Sequence, residues 1–300
     1  MRKTILGVIL LSALVTAGCN LQSAARVESI RLMNEGIRQL AKNNVSGAEK
    51  ALQESVQADP THTLAHYNLA KLYRKQGKLA DAEKAYDQAI AANPQEANYK
   101  FHFEKGLIQA QQGNEGEVST AEREAQYNKA IASFQEALKL NPNAYKAQYQ
   151  MGVLLEKLDQ PEQADQAFRS CIEVNAKYSP CFVSLGNMYI DYGHSNVAMS
   201  ILDAGAQIND TDAEMWNGLG RAYRGLNKPK EAVDAFKKAK AIDPDRPDVL
   251  FGLGMSYADL RMKAEAEEAL NAIMQKAGSD VPEDTREAAQ KTLARMQDVI

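Results

Sequence analysis

The strongest constraint on the fold of this chain is a period of 34 residues that runs through most of its length. One alanine position recurs seven times, separated by 34, 34, 48, 34, 34 and 34 residues: Ala48, Ala82, Ala130, Ala164, Ala198, Ala232 and Ala266. A large apolar residue follows each alanine by four positions: Leu52, Tyr86, Phe134, Phe168, Leu202, Phe236 and Leu270. A fixed period of about 20–50 residues is the sequence signature of a protein built from stacked repeats.

Other positions of the period indicate that each repeat contains two helices. Small residues lie twelve positions before six of the alanines: Gly36, Ala70, Gly152, Gly186, Gly220 and Gly254. Prolines lie twelve positions after four of them: Pro60, Pro94, Pro142 and Pro244. Small residues let two helices approach closely, whereas a larger side chain would overpack by about 1–3 kcal/mol. A proline ends the second helix because it cannot continue the hydrogen-bond ladder.

This pattern resembles the tetratricopeptide repeat, and the block 213–244 is nearest to the consensus of that family. The resemblance implies an all-α, right-handed superhelical solenoid of seven helix–turn–helix repeats, each burying the apolar stripe of its neighbour. The predicted repeats 1 to 7 cover residues 29–62, 63–96, 97–144, 145–178, 179–212, 213–246 and 247–280. Pro282 suits the first turn of a further helix, and we expect residues 281–300 to form a C-terminal capping helix.

Repeat 3 is 14 residues longer than the others, and the excess lies around 113–121. Ser119 and Glu122 form a capping-box pattern, which predicts a second helix that begins there and runs to Leu140. A helix of about 21 residues would span ~31 Å, so both helices of this repeat should project beyond their neighbours. Two interpretations stay open: a tolerated surface insertion, since longer loops cost little free energy, or an elbow that contacts a partner.

The first residues have the pattern of an export signal rather than of a folded domain. Arg2 and Lys3 supply positive charge, and the apolar run that follows is shorter than the roughly 20 residues needed to span a bilayer. Residues 15–19 resemble the bacterial lipoprotein processing site, with threonine at position 16 where leucine is commoner. The resemblance implies a signal peptide over 1–18, cleavage before a lipidated Cys19, and a short linker over 19–28. An ordinary signal peptide with an incidental cysteine is the alternative.

Cys171 and Cys181 lie ten residues apart, at the end of repeat 4 and the start of repeat 5. An exported chain enters an oxidising compartment, so these residues are candidates for a disulfide. A bridge over so short a loop would stabilise the fold by about 2–3 kcal/mol in the chain-entropy description. The alternative is a pair of buried thiols that pack as small apolar residues.

In the family that this chain resembles, the first helix of each repeat lines a concave groove. The residues that the resemblance places there are Tyr67, Asn68, Lys71, Arg74, Phe101, Lys105, Tyr149, Asn187, Asn217, Arg221, Arg224 and Phe251. Aromatic anchors flanked by cations suit an extended or helical peptide that carries acidic residues. The alternative for any one of these residues is that it only packs or is solvated. Asn68 fits one place of the two-carboxylate clamp known in this family, but the full set is missing.

The sequence argues against several other functions. A formal net charge of −4 and a pI near 5.7 are unlike those of a nucleic-acid-binding protein. There is no nucleophile elbow, Walker loop or dinucleotide-binding turn, so we expect no enzymatic activity, cofactor or small-molecule substrate. His62 and His66 are four residues apart, but no third ligand accompanies them, and we expect no metal site.

The combined pattern resembles that of bacterial outer-membrane tetratricopeptide lipoproteins, such as those that assist assembly of type IV pilus secretins. That resemblance implies a membrane-anchored scaffold that binds a protein or peptide partner and faces the periplasm. Asn20 follows the cysteine in place of the aspartate that retains such proteins at the inner membrane, which favours the outer membrane. An adaptor for a periplasmic protease or a peptidoglycan hydrolase is the alternative, and the fold alone does not choose between them.

Overall fold

The computed structural model describes residues 24–93, 98–116, 118–275 and 281–297. Over these ranges the chain consists of α-helices and short turns and contains no strand, so the prediction of an all-α fold is confirmed. The predicted signal peptide and the predicted lipidation site at Cys19 lie outside the described residues.

The helices follow one another as antiparallel pairs joined by tight turns. The first helix, α1, covers residues 24–41. The others are α2 (Val45–Ala58), α3 (Thr63–Lys75), α4 (Leu79–Ala92), α5 (Tyr99–Asn114), α6 (Thr120–Leu140), α7 (Tyr145–Lys157), α8 (Pro161–Val174), α9 (Pro180–Asp191), α10 (Ser195–Ile208), α11 (Ala213–Gly225), α12 (Pro229–Ile242), α13 (Pro247–Asp259), α14 (Lys263–Met274) and α15 (Glu283–Gln297).

The chain divides into two compact units, an N-terminal unit that ends at Ala147 and a C-terminal unit that begins at Gln148. In the N-terminal unit α3 packs on α4, α4 on α5, and α5 on α6. In the C-terminal unit the same alternation runs from α8 through α14, with each helix packed on the next. The cores of both units therefore lie between consecutive helices, as stacking of helical pairs requires.

The small residues of the period lie where the two helices of a pair come closest. A Cβ atom added to Gly186 would lie 2.4 Å from Cγ of Leu202, and one added to Gly220 would lie 2.6 Å from a ring carbon of Phe236. Both large side chains are fully buried. The absent side chain therefore leaves the volume that the apolar residue of the second helix fills.

The turn inside most helical pairs contains one residue in the left-handed backbone region. These residues are Asn43, Gly77, Asp159, Gly193, Asn227 and Arg261, with φ between 55° and 78°. Glycine adopts this conformation without steric penalty, and asparagine and aspartate tolerate it better than other residues do. An arginine at this position, in the turn between α13 and α14, is the exception among the six.

Repeat 3 contains the long second helix that its sequence predicts. Helix α6 has 21 residues, and its first turn carries the capping box, with Ser119 and Glu122 each bonded to the backbone of the other, so both predictions are confirmed. The lengthened part packs on α5, where the guanidinium of Arg123 donates to the carbonyl oxygen of Gly113 at 3.2 Å and the Tyr127 hydroxyl donates to Oδ1 of Asn114 at 2.7 Å. The extra length is thus built into two packed helices.

The predicted linker over 19–28 is wrong for residues 24–28, which already belong to α1. The guanidinium of Arg26 forms an ion pair with Asp59 at 2.5 Å and donates to the carbonyl oxygen of Thr61 at 3.1 Å. One turn later, the buried hydroxyl of Ser29 lies 2.8 Å from the carbonyl oxygen of Ser55. These contacts attach the start of α1 to the end of α2, which favours helix over a flexible linker.

At the other end of the chain, α15 packs on α13 and α14. Val281 and Ala289 are buried in one cluster with Leu270 and Ile273 of α14. Met296, farther along α15, packs on the cluster formed between α12 and α13. The helix therefore covers the apolar surface that the last helical pair would otherwise expose to water.

Candidate protein-binding surface

In the N-terminal unit, the predicted groove positions begin with an aromatic cluster on α3 and α5. The ring centroid of Tyr67 lies 4.7 Å from that of Phe101 and 5.8 Å from that of Tyr86. Tyr67 is half-buried, and this burial, followed by the charge of Glu104, raises the pKa of its hydroxyl. Phe101 is only 2% exposed, so its prediction as a contact residue is wrong. Its ring instead packs against the buried side of Tyr67.

The cations of the N-terminal unit are largely engaged within the protein. Arg74 forms an ion pair with Glu104, and Nζ of Lys105 lies 2.6 Å from Oδ1 of Asp87. Lys71 differs, because its Nζ lies 5.6 Å from the centroid of the Tyr67 ring, within the range of a cation–π contact.

Asn68 is turned toward its own helix. Its side-chain amide donates to the carbonyl oxygen of Leu64 at 2.7 Å, one turn earlier in α3. An asparagine of a carboxylate clamp must direct its amide at the ligand, so this contact competes with the role that the family resemblance implied.

In the C-terminal unit, the equivalent positions again combine aromatic and polar side chains. The ring of Tyr149 lies 5.5 Å from Tyr178 and 6.1 Å from Phe168, and it remains partly exposed. Phe251 is also partly exposed on α13. Asn217 is only 2% exposed and donates to Oδ2 of Asp248 at 2.8 Å, so its prediction as a contact residue is wrong.

The two arginines of α11 pair with helices on either side. Arg221 donates to Oδ1 of Asn187 at 3.0 Å and forms an ion pair with Asp191 at 3.0 Å, both on α9. Arg224 lies 3.7 Å from Oδ2 of Asp259 on α13. The first helices of repeats 5, 6 and 7 are thus linked by polar contacts along the predicted groove face.

These pairings change the electrostatic character that the sequence predicted for the surface. Four of the five predicted cations contact a carboxylate, and only Lys71 has none among the residues that the structure describes. A paired cation attracts an acidic peptide less, because the ligand must compete with the internal carboxylate. Within each unit, the partly exposed aromatic rings are therefore the principal anchors that the predicted groove positions offer.

Sequence reasoning missed the acidic residues of this surface. The ion-pair partners of the two α11 arginines lie 30 and 35 residues away, close to one repeat period, and that spacing is the signal that would have identified them. Glu156 on α7 was also missed. Burial raises the pKa of its carboxyl, and the nearby charge of Asp191 raises it further.

Cys171 and Cys181 form a disulfide in the structure, with their sulfur atoms 1.98 Å apart. Both residues are fully buried, one on α8 and the other on α9. The bridge joins the second helix of repeat 4 to the first helix of repeat 5.

The two neighbouring histidines have separate structural contacts. Nδ1 of His62 lies 2.7 Å from the hydroxyl of Ser29, and Nε2 of His66 lies 3.0 Å from the carbonyl oxygen of Pro60. Among the described residues, no group of three histidine, cysteine or acidic side chains is placed to hold a metal ion. None of the helices in those ranges has both the length and the apolarity needed to cross a bilayer.

Comparison with known proteins identifies the family. Sequence profiles described as tetratricopeptide repeat match residues 33–97, 67–117, 118–144, 133–166, 213–246 and 248–278. These matches cover well over half of the chain, which therefore belongs to the tetratricopeptide repeat family. Its members mediate protein–protein interactions and complex assembly and are generally not enzymes.

Individual relatives share this architecture at low sequence identity. Anaphase-promoting complex subunit 3 of Schizosaccharomyces pombe is 23% identical over 241 residues, which are 80% of this chain and 34% of that protein. The chain spans only about a third or less of the first curated relatives that it matches.

Two solved bacterial structures show the same fold over most of the chain. The C-terminal part of a TPR repeat-containing protein from Cytophaga hutchinsonii has a TM-score of 0.66 and 16% identity, covering 87% of this chain and 99% of that one. Pseudomonas aeruginosa pilF has a TM-score of 0.55 and 18% identity, covering 81% of this chain and 99% of that one.

Proposed function

We propose that this protein is a membrane-anchored interaction scaffold of the bacterial cell envelope. Lipidation of Cys19 would hold it at the outer membrane with its repeats facing the periplasm. Several acyl chains on one cysteine anchor a protein stably, whereas one chain binds only marginally. The support for this anchor is the resemblance of residues 15–19 to a lipoprotein processing site.

The observation that carries the interaction role is an aromatic surface of the N-terminal unit, formed by Tyr67 and Lys71 of α3. Tyr67 presents part of its ring on a buried base of Phe101 and Tyr86, with Lys71 beside it. A rigid aromatic side chain gives a large contact area at a low entropic cost, which is why tyrosine is enriched among residues that dominate binding energy. We expect a partner segment to place an apolar side chain against this ring.

The proposed role of the scaffold is to assist assembly of an envelope complex, such as a pilus or secretion complex. The export signal predicted from the sequence and the membership of an assembly-mediating family support this role. The similarity to Pseudomonas aeruginosa pilF supports only the fold. A sequence identity of 18% carries no information on the partners of this chain.

Affinity capture of the full lipidated chain from cross-linked cells, followed by mass spectrometry, tests this function. The informative variant is Tyr67→Ala, and the matched control is Tyr192→Ala, which removes a tyrosine that is 45% exposed. We expect an envelope assembly component to be captured by the wild type and the control and lost with Tyr67→Ala at unchanged helicity. An unchanged set of partners would refute the role of the aromatic surface.

Two further outcomes separate the parts of the proposal. Recovery of a periplasmic protease or a peptidoglycan hydrolase as the main partner would replace the assembly role with that of an adaptor. Fractionation of a Cys19→Ser variant tests the anchor: we expect the variant to leave the outer-membrane fraction, and retention there would refute lipidation at this residue.

A further inference from the structure

A cavity of about 520 Å³ lies in the C-terminal unit, where α13, the start of α14 and the capping helix α15 meet. We name it the cap pocket. Its apolar lining includes Met255 on α13 and Met296 on α15, and its rim includes Arg261, Lys263 and Arg295. Volumes of about 300–1,000 Å³ are typical of sites that hold a small ligand or a few side chains of a partner.

The three cations of the cap pocket differ from those of the first helices. In the chain as described, neither Arg261, Lys263 nor Arg295 contacts a carboxylate, whereas most of the predicted groove cations do. Asp259 also lines the pocket, but it lies 3.7 Å from Arg224 and is partly neutralised by it. The pocket lining therefore carries three cations and one carboxylate, which leaves it an excess of positive charge.

The backbone turn places one of these cations at the rim. Arg261 has a φ of 58°, at a turn position where the other repeats use glycine, asparagine or aspartate. A long side chain in this conformation is uncommon, and such residues concentrate at functional sites. The turn directs an arginine to the pocket where its counterparts place short side chains.

Contacts within the pocket hold its inner wall in position. The buried hydroxyl of Thr292 donates to the carbonyl oxygen of Ala288 at 2.8 Å, and it lies 3.4 Å from Sδ of Met255. The guanidinium of Arg295 donates to the same hydroxyl at 3.2 Å. One cation is thus fixed beside the apolar wall, and the flexible thioethers of the methionines can adapt to a range of apolar shapes.

From this arrangement we infer that the cap pocket binds a peptide segment in which a carboxylate lies next to a large apolar side chain. The cations would receive the carboxylate through charge-assisted hydrogen bonds, and the methionines would pack against the apolar group. The inference deepens the proposed function and rests on it, since it assigns the partner segment a chemistry and a second point of attachment. It also gives α15 a binding role beyond covering the last repeat.

Selection of random octapeptides displayed on phage, against the full-length chain in detergent, tests the cap pocket directly. We expect enriched sequences to combine aspartate or glutamate with a neighbouring large apolar residue. Binding of these peptides should fall at least about tenfold in Lys263→Glu/Arg295→Glu and be retained in Lys228→Glu/Lys230→Glu, which reverses two exposed lysines on the turn before α12 and its first turn. Equal losses in both variants would overturn the site, because they would show a nonspecific effect of net charge.

Two additional measurements keep the test decisive. The variant Met296→Gln leaves the charge unchanged and should weaken the same peptides while the circular dichroism spectrum stays that of the wild type. If the double reversal unfolds α15, the milder Arg261→Gln replaces it, and unaltered affinity in both Arg261→Gln and Met296→Gln would overturn the site. Cation-dependent binding to phosphatidylglycerol vesicles without peptide enrichment would also overturn it, in favour of an anionic lipid.

Different results would refute the proposed role of the cap pocket and the proposed role of the aromatic surface. Peptides that bind Tyr67→Ala as well as the wild type, but not Lys263→Glu/Arg295→Glu, support the cap pocket. Cellular partners that are lost with Tyr67→Ala and retained with Lys263→Glu/Arg295→Glu support the proposed function and overturn the cap pocket as part of it.

Discussion

Replacing Gly186 with alanine should destabilise the C-terminal unit, although alanine is the better helix former. The exchange gains about 1 kcal/mol in helix propensity. Against this, the new Cβ atom would lie 2.4, 2.6 and 2.8 Å from three carbons of Leu202, a side chain with no exposed surface. Because all three contacts involve the branched end of one enclosed residue, rotation does not relieve them. Overpacking should then reach the upper part of its usual range of about 1–3 kcal/mol, for a net loss of roughly 2 kcal/mol.

Gly218→Ala is the matched control, because its added Cβ atom would meet the same Leu202 side chain at 3.0 and 3.3 Å. The smaller clash and the propensity gain should nearly cancel, leaving a change within about 0.5 kcal/mol. In thermal unfolding followed by circular dichroism, we expect Gly186→Ala to lower Tm by roughly 4–8 °C and Gly218→Ala to leave it almost unchanged.

A double variant separates the steric cause from a general effect of the exchange. Leu202→Val shortens the obstructing side chain, so combined with Gly186→Ala it should cost less than the sum of the two single changes. Additive losses, or a Gly186→Ala variant as stable as the wild type, would contradict the close-packing argument.

Two further predictions concern the disulfide and a half-buried carboxyl. Reducing the bridge between Cys171 and Cys181, which closes a separation of ten residues, should cost about 3 kcal/mol of stability and lower Tm by roughly 6–12 °C. If reductant still lowers the Tm of a Cys171→Ser/Cys181→Ser variant, the bridge is not the cause. The pKa of the Glu156 carboxyl is raised in the folded protein. The neutral carboxyl at low pH therefore does not destabilise the fold. As pH rises from the ordinary carboxyl range through the folded pKa, the free energy of unfolding decreases because the folded state resists ionisation. Glu156→Gln should therefore raise Tm at pH 7 but not at pH 4, and equal shifts at both values would contradict the assignment.

The sequence predicted those parts of the fold that depend on local pattern and period. The capping box of Ser119 and Glu122 uses contacts within one helical turn, and the glycine at 186 faces a residue at a fixed offset, so both follow from spacing alone. The helical state of residues 24–28 does not follow from spacing. It depends on the contact of Arg26 with Asp59, 33 residues away, and no local pattern encodes it.

The candidate surface was predicted less well, because equivalent positions of a repeat do not share one environment. Tyr67, Phe101 and Asn217 occupy the same position of the period, yet the first is half-buried and the other two are 2% exposed. Phe101 lies on the first helix of the lengthened repeat. The side-chain amide of Asn217, which is buried, donates a hydrogen bond to Asp248. Burial alone would raise the pKa of Asp248, but hydrogen bonds and charge from Arg246 outweigh it and hold that pKa low. The neighbouring repeats therefore decide which members of a period reach the solvent.

The ion pairs between first helices lead to a prediction about binding rather than stability. Asp191→Asn removes the carboxylate that pairs with Arg221, while Oδ1 of Asn187 still accepts from the arginine at 3.0 Å. Both charged groups are at least 40% exposed, so the pair should contribute no more than about 1 kcal/mol and the fold should persist. The freed guanidinium should instead strengthen binding of a fluorescein-labelled peptide of alternating glutamate and leucine, measured by anisotropy.

Salt and a second variant test the cause of that increase. The gain in affinity should be several-fold at about 0.01 M salt and largely vanish near 1 M, where charges are screened within ~3 Å. Asp234→Asn removes the same charge from an exposed position on α12, which forms no ion pair with another described residue, and should leave the affinity nearly unchanged. If Asp234→Asn strengthens binding as much as Asp191→Asn does, net charge is responsible. The internal pairing of Arg221 would then not limit what this surface binds.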